Sequence, residues 1–125
     1  GWYIRADDSP RLGDLVAFPL PAAAHEYARR RGEGTNVLLL KPVLAVGGDH
    51  VSTVKGELRV NGALVGSVAD SDSAGRTLPR SDLDRVLADG ELFVGSTSTA
   101  HSFDSRYFGP LRGSQVVGVY RPMRR

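Results

Sequence analysis

Fifteen glycines and seven prolines are spread along these 125 residues, which leaves little room for a long uninterrupted helix. The apolar segments between these breakers are short and rich in valine and leucine, a composition that favours strands. Six segments read as strands: Asp14 to Phe18, Val37 to Val46, Glu57 to Val60, Ala63 to Val68, Glu91 to Gly95 and Gln115 to Tyr120. Between the third and fourth stands Asn61-Gly62, a pair suited to the positive φ angles of a two-residue hairpin turn. The expectation is a mainly β fold of antiparallel sheets.

Two short, peripheral helices are expected beside them. Ala22 to Arg31 has no β-branched residue, places Glu26 and Arg30 at i,i+4, and stops before Gly32. Ser81 is placed to cap a second helix over Leu83 to Asp89, with Asp84 three residues on and Gly90 as the stop. Asp70 to Arg76 reads as a mobile loop, and Thr97 to His101 as another. No internal repeat or linker appears, so residues 1–125 are expected to form one domain.

Composition removes several function classes. With 41% hydrophobic and 24% charged residues, the chain is neither disordered nor fibrous. A pI near 9.3 accompanies a net charge of only +2, with both signs interspersed and few aromatics. That pattern lacks the basic stripe and stacking platform of a nucleic-acid binder. The absence of cysteine excludes disulfides and thiolate metal sites. His25, His50 and His101 have no ligand spacing, so no metal or cofactor is expected, and surface or capping roles are assigned to them. No apolar run approaches the ~20 residues that span a bilayer, so any anchor is expected to lie outside these residues.

Lysine is the conspicuous residue type. Only Lys41 and Lys55 occur, against fourteen arginines, and Lys41 sits within the most apolar stretch, Val37 to Val46. On a strand, Val37, Leu39, Lys41, Val43 and Ala45 share one face. Burial disfavours the charged form of an ammonium, and a neutral lysine is a competent general base. The competing explanation is an edge-strand lysine that snorkels to water or blocks edge pairing.

Two other segments bear on that choice. Leu12-Gly13-Asp14-Leu15-Val16-Ala17-Phe18 is a glycine-aspartate turn entering an apolar strand, and Ser102-Phe103-Asp104-Ser105-Arg106-Tyr107-Phe108-Gly109-Pro110 is a polar loop with paired charges. Taken in order around the Lys41 stretch and Gly47-Gly48-Asp49-His50-Val51, they resemble the boxes of bacterial type I signal peptidases. Within that family the likeness is to the TraF-type peptidases that mature conjugative pilin precursors. Gly1-Trp2-Tyr3 resembles the end of that branch's Ser-x-Pro-x-Gly-x-Tyr motif, and Ala28-Arg29-Arg30-Arg31-Gly32 its helical insert. Ser96-Thr97-Ser98 stands where ordinary signal peptidases carry Gly-Asp-Asn-Arg.

The resemblance implies a signal-peptidase-like β fold, related to the C-terminal domain of self-cleaving repressors, and a serine endopeptidase with a Ser/Lys dyad. Lys41 matches the general base, and Ser102, Asp104 and Arg106 match the box that supports it. Asp104 and Arg106 are expected to pair, and Ser102 to bond the lysine nitrogen. The nucleophilic serine is expected upstream of Gly1, so that these residues alone lack it. Ser9 precedes Pro10 in turn chemistry and does not replace it. An extended pilin or secretory precursor is expected to pair along Leu38, Leu39 and Leu40, with hydrolysed and cyclic products both open. An upstream anchor would hold the domain on the periplasmic face of the bacterial inner membrane, and Trp2 is read as a lipid contact or a core residue.

Other motifs carry less. No Gly-x-Ser-x-Gly elbow is present. Gly47-Gly48-Asp49 is too short for a phosphate loop and reads as a turn, while Arg29-Arg30-Arg31 reads as a solvated helix end. The alternatives are a self-cleaving repressor domain, against which the full Ser102–Pro110 box argues, and a non-enzymatic scaffold of the same fold.

Overall fold

The computed structural model describes residues 2–97 and 102–123. Gly1, Ser98 and His101, and most of the loop expected over Thr97 to His101, lie outside the described residues. Ten strands form two antiparallel sheets. In chain order these are β1 (Tyr3–Arg5), β2 (Leu15–Pro19), β3 (Leu38–Val46), β4 (His50–Ser52), β5 (Glu57–Val60), β6 (Ala63–Ser67), β7 (Asp84–Val86), β8 (Glu91–Val94), β9 (Leu111–Arg112) and β10 (Gly118–Pro122). The larger sheet runs β1-β10-β2-β3-β8-β9 and the smaller β6-β5-β4-β7. Two short helices, α1 (His25–Arg30) and α2 (Ser105–Phe108), lie outside the sheets.

The alternation of β3 follows the sequence. Leu39 and Lys41 are half-buried and Val43 and Ala45 buried on one face, while Leu38 and Leu40 are exposed on the other. Opposite them Val16 pairs with Lys41 and Phe18 with Leu39, so the inner face of β2 and β3 is one apolar surface around the lysine. A second cluster, including Ala45, Val51, Leu58, Leu87 and Phe93, is contributed by both sheets. The hairpin turns at Asn61 (φ 50°) and Gly62 (φ 83°), the geometry Asn-Gly was expected to supply.

Strand β3 changes partner halfway. Leu38 to Pro42 pair with β2, whereas β8 pairs only with the segment from Val43 to Val46, across a register shift. Pro42, which has no N–H to donate, stands at that change. Beside Leu38 to Lys41, the β8 side of the strand has no strand partner among the described residues.

Several expectations are corrected. The helix expected over Leu83 to Asp89 is strand β7, paired antiparallel with β4 through His50–Val86, Val51–Arg85 and Ser52–Asp84. Pairing with β4 and burial of Leu83 and Leu87 override the local helical pattern. Ser81 caps nothing; its carbonyl accepts from Thr53 Oγ1 at 2.7 Å. Glu26 pairs with Arg29 at i,i+3 (3.8 Å), leaving Arg30 to reach the Thr77 carbonyl. The Asp70 to Arg76 segment is tied down: Asp72 Oδ1 accepts from the backbone of Ala74 and Arg76, and Ser71 bridges Thr77. Residues 113–115 form a 3₁₀ turn, so the last strand starts only at Gly118.

Candidate active site

The box from Ser102 to Pro110 is built around a local capping arrangement. Asp104 is the N-cap of α2, and its Oδ1 accepts from the Arg106 backbone N–H at 3.0 Å. The same carboxylate takes the Arg106 side chain in a two-pronged grip, Nε–Oδ1 at 2.9 Å and Nη2–Oδ2 at 2.6 Å, with both side chains essentially inaccessible to water. Burial pulls the Arg106 pKa down, but the Asp104 carboxylate more than offsets this and holds the guanidinium charged. Arg106 also donates to the carbonyls of Ser67 (2.9 Å) and Ser96 (2.7 Å), tying α2 to β6 and to the segment that follows β8. The segment expected as a loop therefore contains a short helix with a paired core.

Gly95 makes room for this pair. A Cβ there would lie 2.5 Å from Asp104 Oδ2 and 2.7 Å from its Cγ. Gly95 N–H donates to the Pro42 carbonyl at 3.0 Å, so the glycine joins the ion pair to the lysine strand.

Lys41 lies on the inner row of β3, half-buried rather than sealed from water. Its Nζ donates to Ser102 Oγ at 3.1 Å, bringing together residues 61 positions apart. Among the described residues no hydrogen bond or ion pair joins Asp104 or Arg106 to the lysine; they connect to it through Gly95–Pro42 and through the chain that carries Ser102.

Among the described residues two hollows border this strand. On the outer face Tyr3, Leu15, Ala17, Leu38, Leu40 and Tyr120 line an open apolar groove of about 390 Å³. The second, of about 200 Å³, is lined by Leu39, Lys41, Phe103, Tyr27, Ala28 and Arg31 among others. Leu38 to Leu40 thus face a groove along the stretch of β3 that β8 leaves without a partner.

Asp14, expected as a turn residue, is buried and grips Arg121 through both oxygens (3.1 and 2.9 Å), fastening β2 to β10. Burial opposes its ionisation, yet the Arg121 guanidinium and the Arg11 N–H hold its carboxyl below the usual range. The other residues singled out in the sequence have their hydrogen-bond partners elsewhere. His25 bonds the Leu20 carbonyl at 3.0 Å, and His50 pairs with Asp84 at 2.9 Å. Asp49 closes the Gly47-Gly48 turn by accepting from Val46 N–H. Trp2 is 69% exposed. Arg31 is no free helix end, since it bonds Tyr27 Oη and Glu33. Sequence reasoning missed Tyr27 and Asp72, which belong to no motif and bond each other at 2.8 Å, and it gave no role to Phe103 and Tyr107 within the Ser102–Pro110 box.

Residues 2–123 match the family model described as signal peptidase, peptidase S26. A plasmid transfer protein TraF of Escherichia coli is 34% identical over 134 aligned residues, covering 98% of this chain and 76% of that protein. A second Escherichia coli TraF is 41% identical, covering 98% of this chain and 75% of its own length. In fold the chain is similar to a crystal structure of signal peptidase I from Enterococcus faecalis V583. The TM-score is 0.54 at 20% identity, over 91% of this chain and 98% of that one. With its box pairing, its lysine strand and these relatives, the chain belongs to the signal peptidase (peptidase S26) family.

Proposed function

We propose that this chain is the catalytic domain of a conjugative-transfer signal peptidase that cuts pilin or secreted-protein precursors with a Ser/Lys dyad. The observation that carries the reading is the 3.1 Å contact between Lys41 Nζ and Ser102 Oγ on the inner face of β3. Nothing in the fold of the sheet requires a lysine at that position, where its neighbours Leu39, Val43 and Ala45 are apolar. The reading takes its nucleophilic serine from upstream of Gly1, on the likeness of Gly1-Trp2-Tyr3 to the end of the family's nucleophile motif.

In this reading Lys41 Nζ takes the proton of the serine hydroxyl as its oxygen attacks the scissile carbonyl. The tetrahedral intermediate collapses to an acyl-enzyme, and the proton on Lys41 passes to the departing amine. A water then attacks the ester, giving its proton back through Lys41, and releases a carboxylic acid; an amine of the substrate in place of water releases a cyclic product. Ser102 fixes the direction of the lysine nitrogen, and Asp104 with Arg106 holds the box that carries Ser102.

The substrate main chain pairs with Leu38 to Leu40 on the β8 side of β3, which has no strand neighbour there among the described residues, by the addition of an extended strand. Side chains on alternate positions then meet the outer groove. Among the described residues no helix is long and apolar enough to cross a membrane. Attachment to the bacterial inner membrane, with this domain on its periplasmic face, is assigned to a segment before Gly1.

The test uses the protein carrying its upstream segment, incubated with a pilin precursor and weighed by mass spectrometry beside Lys41→Met. A general base contributes ~10²–10⁴-fold, so cleavage is expected to vanish in Lys41→Met. A product lighter than the linear fragment by one water identifies cyclisation. Undiminished cleavage by Lys41→Met removes the dyad reading.

A further inference from the structure

Three aromatic rings stand in a row beside Lys41. Phe103 is the middle one, with its centroid 4.8 Å from Tyr27 at an interplanar angle of 27° and 6.0 Å from Tyr107 at 3°. The residue before Phe103 is Ser102, whose hydroxyl lies against Lys41 Nζ.

The two outer rings are anchored by one segment. Tyr27 Oη donates to Asp72 Oδ2 at 2.8 Å, and the Ala69 N–H donates to Tyr107 Oη at 2.9 Å. Burial and then the bond to Asp72 raise the Tyr27 pKa, so its hydroxyl stays a donor at neutral pH. Asp72 is itself fixed by the N–H groups of Ala74 and Arg76, 2.9 Å each. Residues 69–77 thus hold both ends of the row.

Phe108 meets Phe103 edge-on at 5.6 Å and the ring packs against two apolar clusters, so packing holds it in part. The cavity of about 200 Å³ borders Phe103, Tyr27 and Lys41 together, and a ring that faces a void lacks contacts on that side. Hydroxyl anchors at both ends restrict a motion that the void would permit.

We infer that Tyr27 and Tyr107, pinned by residues 69–77, are positioning residues that fix Phe103 and, through it, the Ser102 hydroxyl against Lys41. The inference rests on the reading of Lys41 as the general base. It gives α1 and the 69–77 segment, remote in sequence from both Lys41 and Ser102, a role in the reaction that is not substrate contact.

The test measures kcat and KM on a precursor peptide with the peptidase carrying its upstream segment. Tyr27→Phe and Tyr107→Phe keep the rings and delete only the hydroxyls. Each is expected to lower kcat about tenfold with KM unchanged within about twofold, because displacement of a reacting group penalises the chemical step. Asp72→Ala should lower kcat at least as much as Tyr27→Phe, since it also frees the Ala74 and Arg76 N–H groups, and adding Tyr27→Phe to it should change little, because the shared bond is already gone. Asp72→Asn keeps a partner for the Tyr27 hydroxyl and acceptors for the backbone, and is expected to rescue activity to within about threefold of wild type.

Near-UV circular dichroism and thermal melting verify folding, and Glu91→Gln, which breaks a distant pair with Arg85, supplies a destabilised control with wild-type kcat. Unchanged kcat in Tyr27→Phe and Tyr107→Phe overturns the inference, as does a loss carried wholly by KM or one that Glu91→Gln reproduces. Cleavage that survives Lys41→Met instead removes the reading of the lysine, and this inference with it; the two failures are told apart by which variant stays active.

Discussion

Replacing Gly95 with alanine tests whether the buried pair of Asp104 and Arg106 is a fixed part of the fold. The glycine needs no unusual backbone angle, since it is not among the residues with positive φ. Its constraint is space: the added carbon would sit 2.5 Å from Asp104 Oδ2, against a side chain that is fully buried and already bonded on both oxygens. The carboxylate must move off Arg106, or the end of β8 must shift away from the Pro42 carbonyl. Uncoupling one member of a buried ion pair costs about 3–5 kcal/mol, because the remaining charge stays desolvated. That is a large share of the ~5–15 kcal/mol that holds a typical domain folded. With a urea m-value near 2 kcal/mol/M, the midpoint should fall by about 2 M. Far-UV circular dichroism is the suitable probe, because the single tryptophan, Trp2, is largely exposed and reports little on the core. Asp104→Asn acts on the same pair, so the double variant should cost far less than the sum of the two. A Gly95→Ala midpoint corresponding to less than about 1 kcal/mol, at unchanged m, would refute the argument that the glycine exists for the carboxylate.

Two further predictions concern stability. Glu91, held to about 2 by Arg85 first and also by the Ala88 N–H against opposing burial, and Asp72, also about 2 because its hydrogen bonds from Tyr27, Arg76 and Ala74 outweigh burial, both lie below their ordinary values of 4.5 and 3.8. Depressed carboxylates stabilise fully above their unfolded values, so that contribution should be complete near neutral pH and disappear as pH falls from about 5 to 2. Glu91→Gln should remove part of the acid slope in urea midpoints measured across that range; an identical slope would count against the Arg85 pairing. Asn61→Ala should cost about 1–2 kcal/mol, since alanine at a φ of 50° is strained and the bonds to His50 N–H (2.9 Å) and Asp49 (3.0 Å) are lost. Asn61→Gly, which tolerates that φ, should cost less in the same denaturation assay, and the reverse order would contradict the assigned turn.

What could be read in the sequence is what neighbouring residues decide among themselves. Asn61-Gly62 sets its own turn, alternation from Leu39 to Ala45 sets the face on which Lys41 sits, and Asp104 pairs with Arg106 two positions on. The helix expected at Leu83 to Asp89 failed because its spacing of Leu83 and Leu87 suits a helix and a buried strand segment alike, and only β4, more than thirty residues earlier, decides between them. The same applies to the supports of the site. Tyr27 meets Asp72 across 45 residues, Ser102 meets Lys41 across 61, and Arg121 meets Asp14 across 107. Ser102 was found because a family box names it; Tyr27 and Asp72 belong to no such box. The lysine and its serine partner can therefore be named from motifs, whereas the groups that keep them in register are visible only when the sheets have brought α1 and the 69–77 segment together. Substitutions that look neutral by motif, Tyr27→Phe among them, are where this peptidase domain should lose function with its recognisable residues intact.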